Sequence, residues 1–252
     1  MVRTNVALAR PFGLLVLAFT LVLPLLPAQA ADELPKAEVE QIVRDYLMRE
    51  PEIIMQAIEE LQRRRDMAAG EQQRDQIVAN RQSLVADPRD PALGNPDGDV
   101  TLVEFFDYRC GYCRGMMDTL DELVDSDPDL RMVMKEFPIL GPESLLAAKA
   151  ALAADRQGAY AAVHFALMAA DRIDDATIRR IAADNGLDVD QLLADMESEP
   201  VLTHIQDNIR LAQSLGISGT PSFVVGDTLL PGAVPLAALN EHIGAERSAA
   251  GG

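Results

Sequence analysis

The two cysteines of the chain, Cys110 and Cys113, are separated only by Gly111 and Tyr112. They follow a short apolar run rich in β-branched and aromatic residues, Val100 to Phe106, which predicts a buried strand. A helix that begins directly after this strand places Cys110 at its N-terminus and Cys113 one turn inside, close enough for a disulfide. The N–H groups and dipole at that helix end stabilise a thiolate on Cys110. The pattern predicts thiol–disulfide exchange, with Cys110 attacking and Cys113 resolving the mixed disulfide.

Two other uses of the cysteine pair stand beside this one. A zinc site needs about four ligands, and only His164, His204 and His242 remain, none of them in a zinc-like cluster with the thiolates. An inert structural disulfide gains little, because so short a loop hardly constrains the unfolded chain. We interpret His164, which lies among Ala and Met, as a helix-face residue rather than a catalytic base. The sequence therefore predicts no metal and no cofactor.

A second motif lies far downstream, where Thr220-Pro221 precedes the strand-like run Ser222 to Val225. This proline either punctuates the loop or forms a cis bond with Thr220. A third feature is Glu104, an acid inside the apolar run before the cysteines. If Glu104 is buried there, its pKa is raised. If it lies at a strand end and faces solvent, its pKa is not raised. Lys135, on the next predicted strand, is a candidate partner for Glu104.

The start of the chain predicts export. Arg3 and Arg10, an apolar stretch from Phe12 to Leu26 and the small-residue site Ala28-Gln29-Ala30 are typical of a cleavable signal peptide over residues 1–30. The stretch is shorter than a membrane-spanning helix needs. A formal net charge of −18 argues against nucleic acid as a partner, because nucleic-acid binding needs a basic surface. We expect a periplasmic protein.

The remaining elements predict a helical region followed by an α/β domain. Helical apolar spacing with Pro51 between two sets of residues predicts two helices over residues 31–65, with an apolar face free to form a bundle. Residues 66–98 are charged, Gln-rich and finally Pro/Gly-rich, which predicts a helical linker. Residues 99–246 follow as strand, helix, strand, helical insertion (about 143–215), hairpin across Gly226-Asp227 and a closing helix from about Pro235 to Ile243. Residues 247–252 are expected to form a disordered tail.

The catalytic region resembles the DsbA-like branch of the thioredoxin superfamily. The resemblance rests on Val103 to Cys113 and on Gly219 to Phe223, and it covers about Asp99 to Ile243. It implies a thioredoxin-like fold with a helical insertion and a cis proline that packs against the dithiol. It also implies that Thr220 and Pro221 bind client peptide beside Gly111 and Tyr112, and that Glu104 relays a proton for the resolving cysteine.

Residues Tyr46 to Leu61 are similar to the trimerising stalk of the suppressor-of-copper-sensitivity C proteins. This resemblance implies a homo-oligomer, with a trimer favoured, and a disulfide isomerase or reductase that acts on exported thiol or disulfide proteins. A membrane-bound redox partner would keep Cys110 reduced. The same residues make a dithiol oxidase if the pair is kept oxidised. A third hypothesis is a chaperone or copper-binding module, since thiolates suit Cu(I).

Overall fold

The computed structural model describes residues 35–251, and the predicted signal peptide lies outside them. The described residues divide into two units after Ile58, and the two are described separately. Among the described residues, no helix is both long enough and apolar enough to cross a membrane.

Two helices account for the described part of the first unit. α1 spans Lys36–Arg49, and α2 begins at Glu52 and continues to Ala79 in the second unit. The chain turns at Glu50 and Pro51 between them, as expected of a proline that cannot continue a helix. No residue of α1 is buried. The exposed apolar side chains of α1 and the first turns of α2 are Val39, Ile42, Val43, Tyr46, Met48, Ile54, Met55 and Ile58.

A five-stranded mixed sheet forms the centre of the second unit. The strands are β1 (Ala92–Gly94), β2 (Val100–Phe106), β3 (Leu130–Glu136), β4 (Ser222–Val225) and β5 (Thr228–Pro231), in the order β1-β3-β2-β4-β5. β2 and β3 are parallel, and the other three pairings are antiparallel. The tight turn at Gly226, where φ is +59°, joins β4 to β5 as predicted.

Helices connect the strands and cover the sheet. α4 (Gly111–Ser126) forms the crossover from β2 to β3, and the closing helix is α10 (Leu236–Ala250). The insertion between β3 and β4 consists of α5 (Pro142–Asp155), α6 (Tyr160–Ala169), α7 (Asp175–Asp184), α8 (Val189–Met196) and α9 (Glu199–Ser214). This arrangement confirms the predicted thioredoxin-like α/β fold with a helical insertion.

Side-chain alternation along the strands creates two cores on opposite faces of the sheet. Leu102 and Phe106 of β2 pack with α4, α10 and the helical insertion. Val103 and Phe105 pack on the other face with Ile217, Leu211 and other apolar residues of the second core. Every residue of β2 except Thr101 is buried, which explains its near-continuous apolar sequence.

The segment predicted as a helical linker, residues 66–98, is partly built into the second unit. Ile77 near the end of α2 and Leu84 of α3 (Arg81–Val85) are each 1% exposed and belong to the same core as Phe105. Residues 92–94 form β1 and pair with β3. The sparse apolar residues of this segment therefore anchor it to the core. Its charged composition did not predict this role.

The last helix extends beyond the predicted end near Ile243. α10 reaches Ala250, so most of the segment expected to be a disordered tail is helical. The guanidinium of Arg247 pairs with Asp99 at 2.7 Å and with Asp127 at 2.9 Å. These contacts tie the last turns of α10 to the segment before β2 and to the end of α4.

Candidate active site

The cysteine pair lies where β2 passes into α4. Cys110 is the N-cap residue of α4, in an extended conformation, and Cys113 lies in the first turn of the helix. Both thiols are free; Cys110 is 6% exposed and Cys113 is fully buried. The more accessible sulfur therefore belongs to the cysteine expected to attack, and the buried one to the cysteine expected to resolve.

Hydrogen bonds from three segments hold the turn before Cys110. The carboxylate of Asp107 accepts the backbone N–H groups of Arg109 at 2.7 Å, Ile139 at 2.8 Å and Leu140 at 3.0 Å. The Nε of Arg114 donates to the Tyr108 carbonyl at 2.7 Å. Sequence reasoning missed Asp107; its position directly after a buried strand, where turns favour Asp, was the available signal.

The loop before β4 reaches the nucleophile. The Thr220–Pro221 peptide bond is cis, and the Sγ of Cys110 donates to the Thr220 carbonyl oxygen at 3.2 Å. The structure thus brings together two motifs that lie 110 residues apart in sequence.

Gly111 and Tyr112 form the outer side of the site. A Cβ added to Gly111 would meet no atom within 4 Å, and Tyr112 is 72% exposed. The intervening dipeptide therefore presents an open surface next to Cys110.

Glu104 is buried in β2, at 2% exposure, on the face of the sheet that carries α4. Its pKa is raised to about 8, first by burial and then by the nearby Cys110. The pKa of Cys113 is also raised above its usual value, by burial and then by the charge of Glu104. These shifts indicate that proton affinities at Glu104 and at the buried thiol are coupled.

Lys135 is not the partner of Glu104. Glu104 lies opposite Met134 in the parallel ladder, so Lys135, opposite Phe105, points to the other face of the sheet. There its ammonium donates to the carboxylate of Asp90 and to the Ser83 carbonyl, at 2.6 Å for the latter. The second oxygen of Asp90 lies 2.8 Å from the Nε2 of His204. The expected Glu104–Lys135 contact was wrong because sequence alone did not show the register between β2 and β3.

A second buried acid, Glu136, was also missed. Its Oε1 accepts the hydroxyls of Tyr108 at 2.9 Å and Tyr160 at 3.0 Å, and the Tyr108 hydroxyl lies 3.0 Å from the Nδ1 of His164. His164 lies on α6, as expected of a helix-face residue, and is 1% exposed. An acid at the end of the apolar run Leu130 to Phe137 was the signal that sequence reasoning left unused.

Within residues 35–251, the group of His, Cys, Asp and Glu side chains close enough to hold a metal ion is Asp87, Asp90 and His204. Asp90 already binds Lys135, and Asp87 binds Arg89. The group lacks both cysteines, so it does not extend the dithiol into a metal site.

A thioredoxin-like sheet, a Cys-X-X-Cys pair at a helix N-terminus and an X-cis-Pro loop beside the first sulfur define a dithiol protein of the thioredoxin class. The DSBA-like thioredoxin domain family matches residues 101–244, and the chain belongs to this family. The N-terminal domain of the copper resistance protein ScsC matches residues 36–67. Both resemblances expected from the sequence are thus confirmed.

Solved structures agree with this assignment. A thioredoxin-like oxidoreductase from Silicibacter pomeroyi DSS-3 is 51% identical, with a TM-score of 0.65 over 67% of this chain and 98% of that one. A Proteus mirabilis ScsC variant is 28% identical, with a TM-score of 0.65 over 88% and 99% of the two chains. The thiol-disulfide exchange protein α-DsbA2 from Wolbachia pipientis is 27% identical, with a TM-score of 0.66 over 71% and 97%. These relatives support disulfide oxidoreductase activity.

Curated relatives share only part of their length with this chain. A Na⁺/H⁺ antiporter NhaA from Herminiimonas arsenicoxydans is 31% identical over 151 residues, which is 58% of this chain and 24% of the antiporter. The chain thus spans about a quarter of the length of the curated relatives it matches.

Proposed function

We propose that the chain is a periplasmic thiol–disulfide oxidoreductase that works as a disulfide isomerase or reductase on exported proteins. The observation that carries this proposal is the contact between the Cys110 sulfur and the Thr220 carbonyl, with the Cys113 thiol buried behind it. A nucleophile that is more exposed than the second thiol and lies beside the backbone carbonyl of Thr220 suits attack on a disulfide held in an extended client segment.

The reaction begins when the Cys110 thiolate attacks one sulfur of a client disulfide. A bond forms between Cys110 and that sulfur, the client S–S bond breaks, and the other client sulfur leaves as a thiolate. In isomerisation, a different client thiolate then attacks the mixed disulfide and releases Cys110 unchanged. The protein is neither oxidised nor reduced over this cycle.

Reduction follows when the mixed disulfide persists. The Cys113 sulfur attacks Cys110, its proton passes to the Glu104 carboxylate, and the client leaves as a thiolate that takes up a proton. Two electrons pass from the dithiol to the client, and Cys110 and Cys113 become a disulfide. A membrane-bound electron donor must then reduce this disulfide, and the same chemistry run from the oxidised pair would make the protein a dithiol oxidase.

Client binding would involve Thr220, Pro221, Gly111 and Tyr112. The Thr220 backbone lies beside Cys110, and the exposed Gly111-Tyr112 side leaves room for an incoming chain. Backbone pairing with an extended segment is independent of client sequence. This mode suits a protein that must act on many misbridged clients.

The N-terminal helices would assemble the protein into a homo-oligomer, with three copies favoured. Support comes from the unburied apolar side chains of α1 and from the ScsC N-terminal match over residues 36–67. Apolar stripes of this kind are satisfied in helix bundles. We assign residues 31–65 to this oligomerisation segment and residues 99–246 to the catalytic domain, with export directed by residues 1–30.

The decisive experiment is reactivation of scrambled ribonuclease A by the mature protein, with a catalytic amount of reductant and no glutathione. We expect recovery with wild-type protein and none with Cys110→Ser. Cys113→Ser is the matched control, because it keeps the nucleophile and should retain part of the isomerisation while losing client reduction. Rapid oxidation of reduced ribonuclease A without reactivation of the scrambled form would instead establish the oxidase.

Copper capture is a second candidate function, favoured by the match to a copper resistance protein domain. Two thiolates at Cys110 and Cys113 suit Cu(I). Titration of the reduced protein with Cu(I), beside the Cys110→Ser and Cys113→Ser variants, tests it. Tight binding that needs both thiols, without any turnover of scrambled ribonuclease A, would replace the enzyme assignment.

A further inference from the structure

Two buried carboxyl groups lie on the same face of the sheet, one on each of its two central parallel strands. In the ladder between β2 and β3, Glu104 is opposite Met134 and Phe106 is opposite Glu136. Since alternate residues of a strand share a face, Glu104, Phe106, Met134 and Glu136 all point toward the core that contains Cys113. The exposed fractions are 2% for Glu104 and 1% for Glu136.

Among residues 35–251, the groups that hydrogen-bond to Glu136 are uncharged. It accepts the Tyr108 and Tyr160 hydroxyls, and Tyr108 also contacts His164, all four side chains being buried. Burial lowers the pKa of His164 to about 3, so its imidazole is neutral. The pKa of Glu136 is raised to about 8, mainly by burial; the hydrogen bonds from the two tyrosines lower it, and the charges of Asp107 and Glu104 raise it.

The titratable groups around Glu136 are Glu104 on β2, Asp107 and Tyr108 in the turn before α4, and Tyr160 and His164 on α6. Glu104 in turn is coupled to Cys110 and Cys113. The nearby cations are engaged elsewhere: Lys135 points to the opposite face and binds Asp90, and the Arg114 guanidinium donates to the Tyr108 backbone. Glu104 and Glu136 are thus a pair of like groups in one low-dielectric space.

We propose that Glu136 is a positioning residue with two effects. Its charge sets the pH at which Glu104 ionises, and its hydrogen bond to Tyr108 fixes the turn that carries Cys110. This inference rests on the proposed function in one respect, namely that Glu104 accepts the Cys113 proton. Two neighbouring buried carboxyl groups resist simultaneous ionisation, so their protons leave in two coupled steps. A negative Glu136 therefore keeps Glu104 protonated to higher pH and reduces the share of molecules in which Glu104 can take the Cys113 proton.

The test is the pH dependence of the dithiol reduction potential, measured at equilibrium with glutathione on the mature protein. Glu136→Gln keeps an oxygen that accepts both tyrosine hydroxyls but cannot ionise. We expect the inflection due to Glu104 to move to lower pH by about half a unit to one unit, the size expected of a partly screened charge pair. Glu104→Gln should abolish this inflection, which assigns it to Glu104. Glu143→Gln, the same change at a 46% exposed side chain, should leave it in place.

An inflection in Glu136→Gln that coincides with wild type would overturn the inference. Should Glu136→Gln fail to fold, Tyr160→Phe decides, because loss of one hydroxyl raises the pKa of Glu136 and keeps it neutral over a wider range. The inflection should then move in the same direction by a smaller amount, and an unmoved one would refute the coupling.

The outcome is separable from that of the proposed function. The potential is an equilibrium quantity, so a shifted inflection in a protein that never reactivates scrambled ribonuclease A would sustain the coupling and end the isomerase assignment. Normal reactivation with an unmoved inflection would sustain the isomerase assignment and refute the coupling.

Discussion

The Sγ of Cys110 lies 3.2 Å from the carbonyl oxygen of Thr220, while the Sγ of Cys113 is sealed from solvent one turn further along α4. The two thiols therefore differ in accessibility. Burial and the charge of Glu104 raise the pKa of Cys113, so its reactive thiolate is scarce near neutral pH. This asymmetry divides the roles of nucleophile and resolving thiol.

Alkylation of the reduced protein should be strongly selective. We expect iodoacetamide at pH 7 to modify Cys110 at least about 100-fold faster than Cys113, because reaction needs an accessible thiolate. Peptide mass spectrometry over time gives both rates. In Cys110→Ser, Cys113 should remain slow; equal labelling of the two cysteines would contradict the structure.

Glu104→Gln should change how stability depends on pH. The carboxyl binds its proton more tightly in the folded state, with a pKa of about 8 against an ordinary value of 4.5. The contribution of Glu104 to folding stability is therefore fully present below about pH 4.5 and is lost as the pH rises through 8. Relative to wild type, the free energy of unfolding of the variant should rise by on the order of 3–5 kcal/mol between pH 4.5 and 9.

Urea unfolding at several pH values measures this difference. The exposed Glu143→Gln serves as control and should show no such trend. A constant offset between Glu104→Gln and wild type across the range would mean that Glu104 ionises in the folded protein as it does in water.

Lys135→Met should destabilise the protein by about 3–5 kcal/mol, because it leaves the Asp90 carboxylate buried without its cation. Adding Asp90→Asn should recover much of the loss, and a double-mutant cycle in urea reports the coupling. Arg180→Met, which breaks an exposed pair with Asp184, should cost no more than about 0.5 kcal/mol. Similar costs for the two variants would show that the Lys135 pair is not buried in solution.

Ile42→Arg should weaken or abolish assembly through the N-terminal helices. Ile42 is 53% exposed on α1, and a charge there would have to be buried in a helix bundle. Light scattering on the mature protein should give an oligomer for wild type and a smaller mass for the variant. Gln41→Arg adds the same charge one residue away and should leave the mass unchanged. A monomeric wild-type protein would remove the stalk proposal and strengthen the oxidase alternative.

Local patterns determined much of this protein in advance. The apolar run Val100 to Phe106 is β2, the cysteine pair opens α4, and Gly226-Asp227 turns the hairpin. Each depends on residues within a few positions of one another, through strand alternation, helix geometry and turn conformation. The spacing of the two cysteines likewise predicted thiol–disulfide exchange without information from the rest of the chain.

Tertiary structure alone decided which charged groups meet. Lys135 binds Asp90, 45 residues away, and Asp90 contacts His204, 114 residues away. Whether Lys135 shares a face with Glu104 depends on the register between two strands, and a shift of one residue reverses the answer. The link between Glu136, Tyr108 and His164 likewise needs α6 to pack over the sheet. Such contacts depend on how distant elements pack, and no local periodicity encodes that.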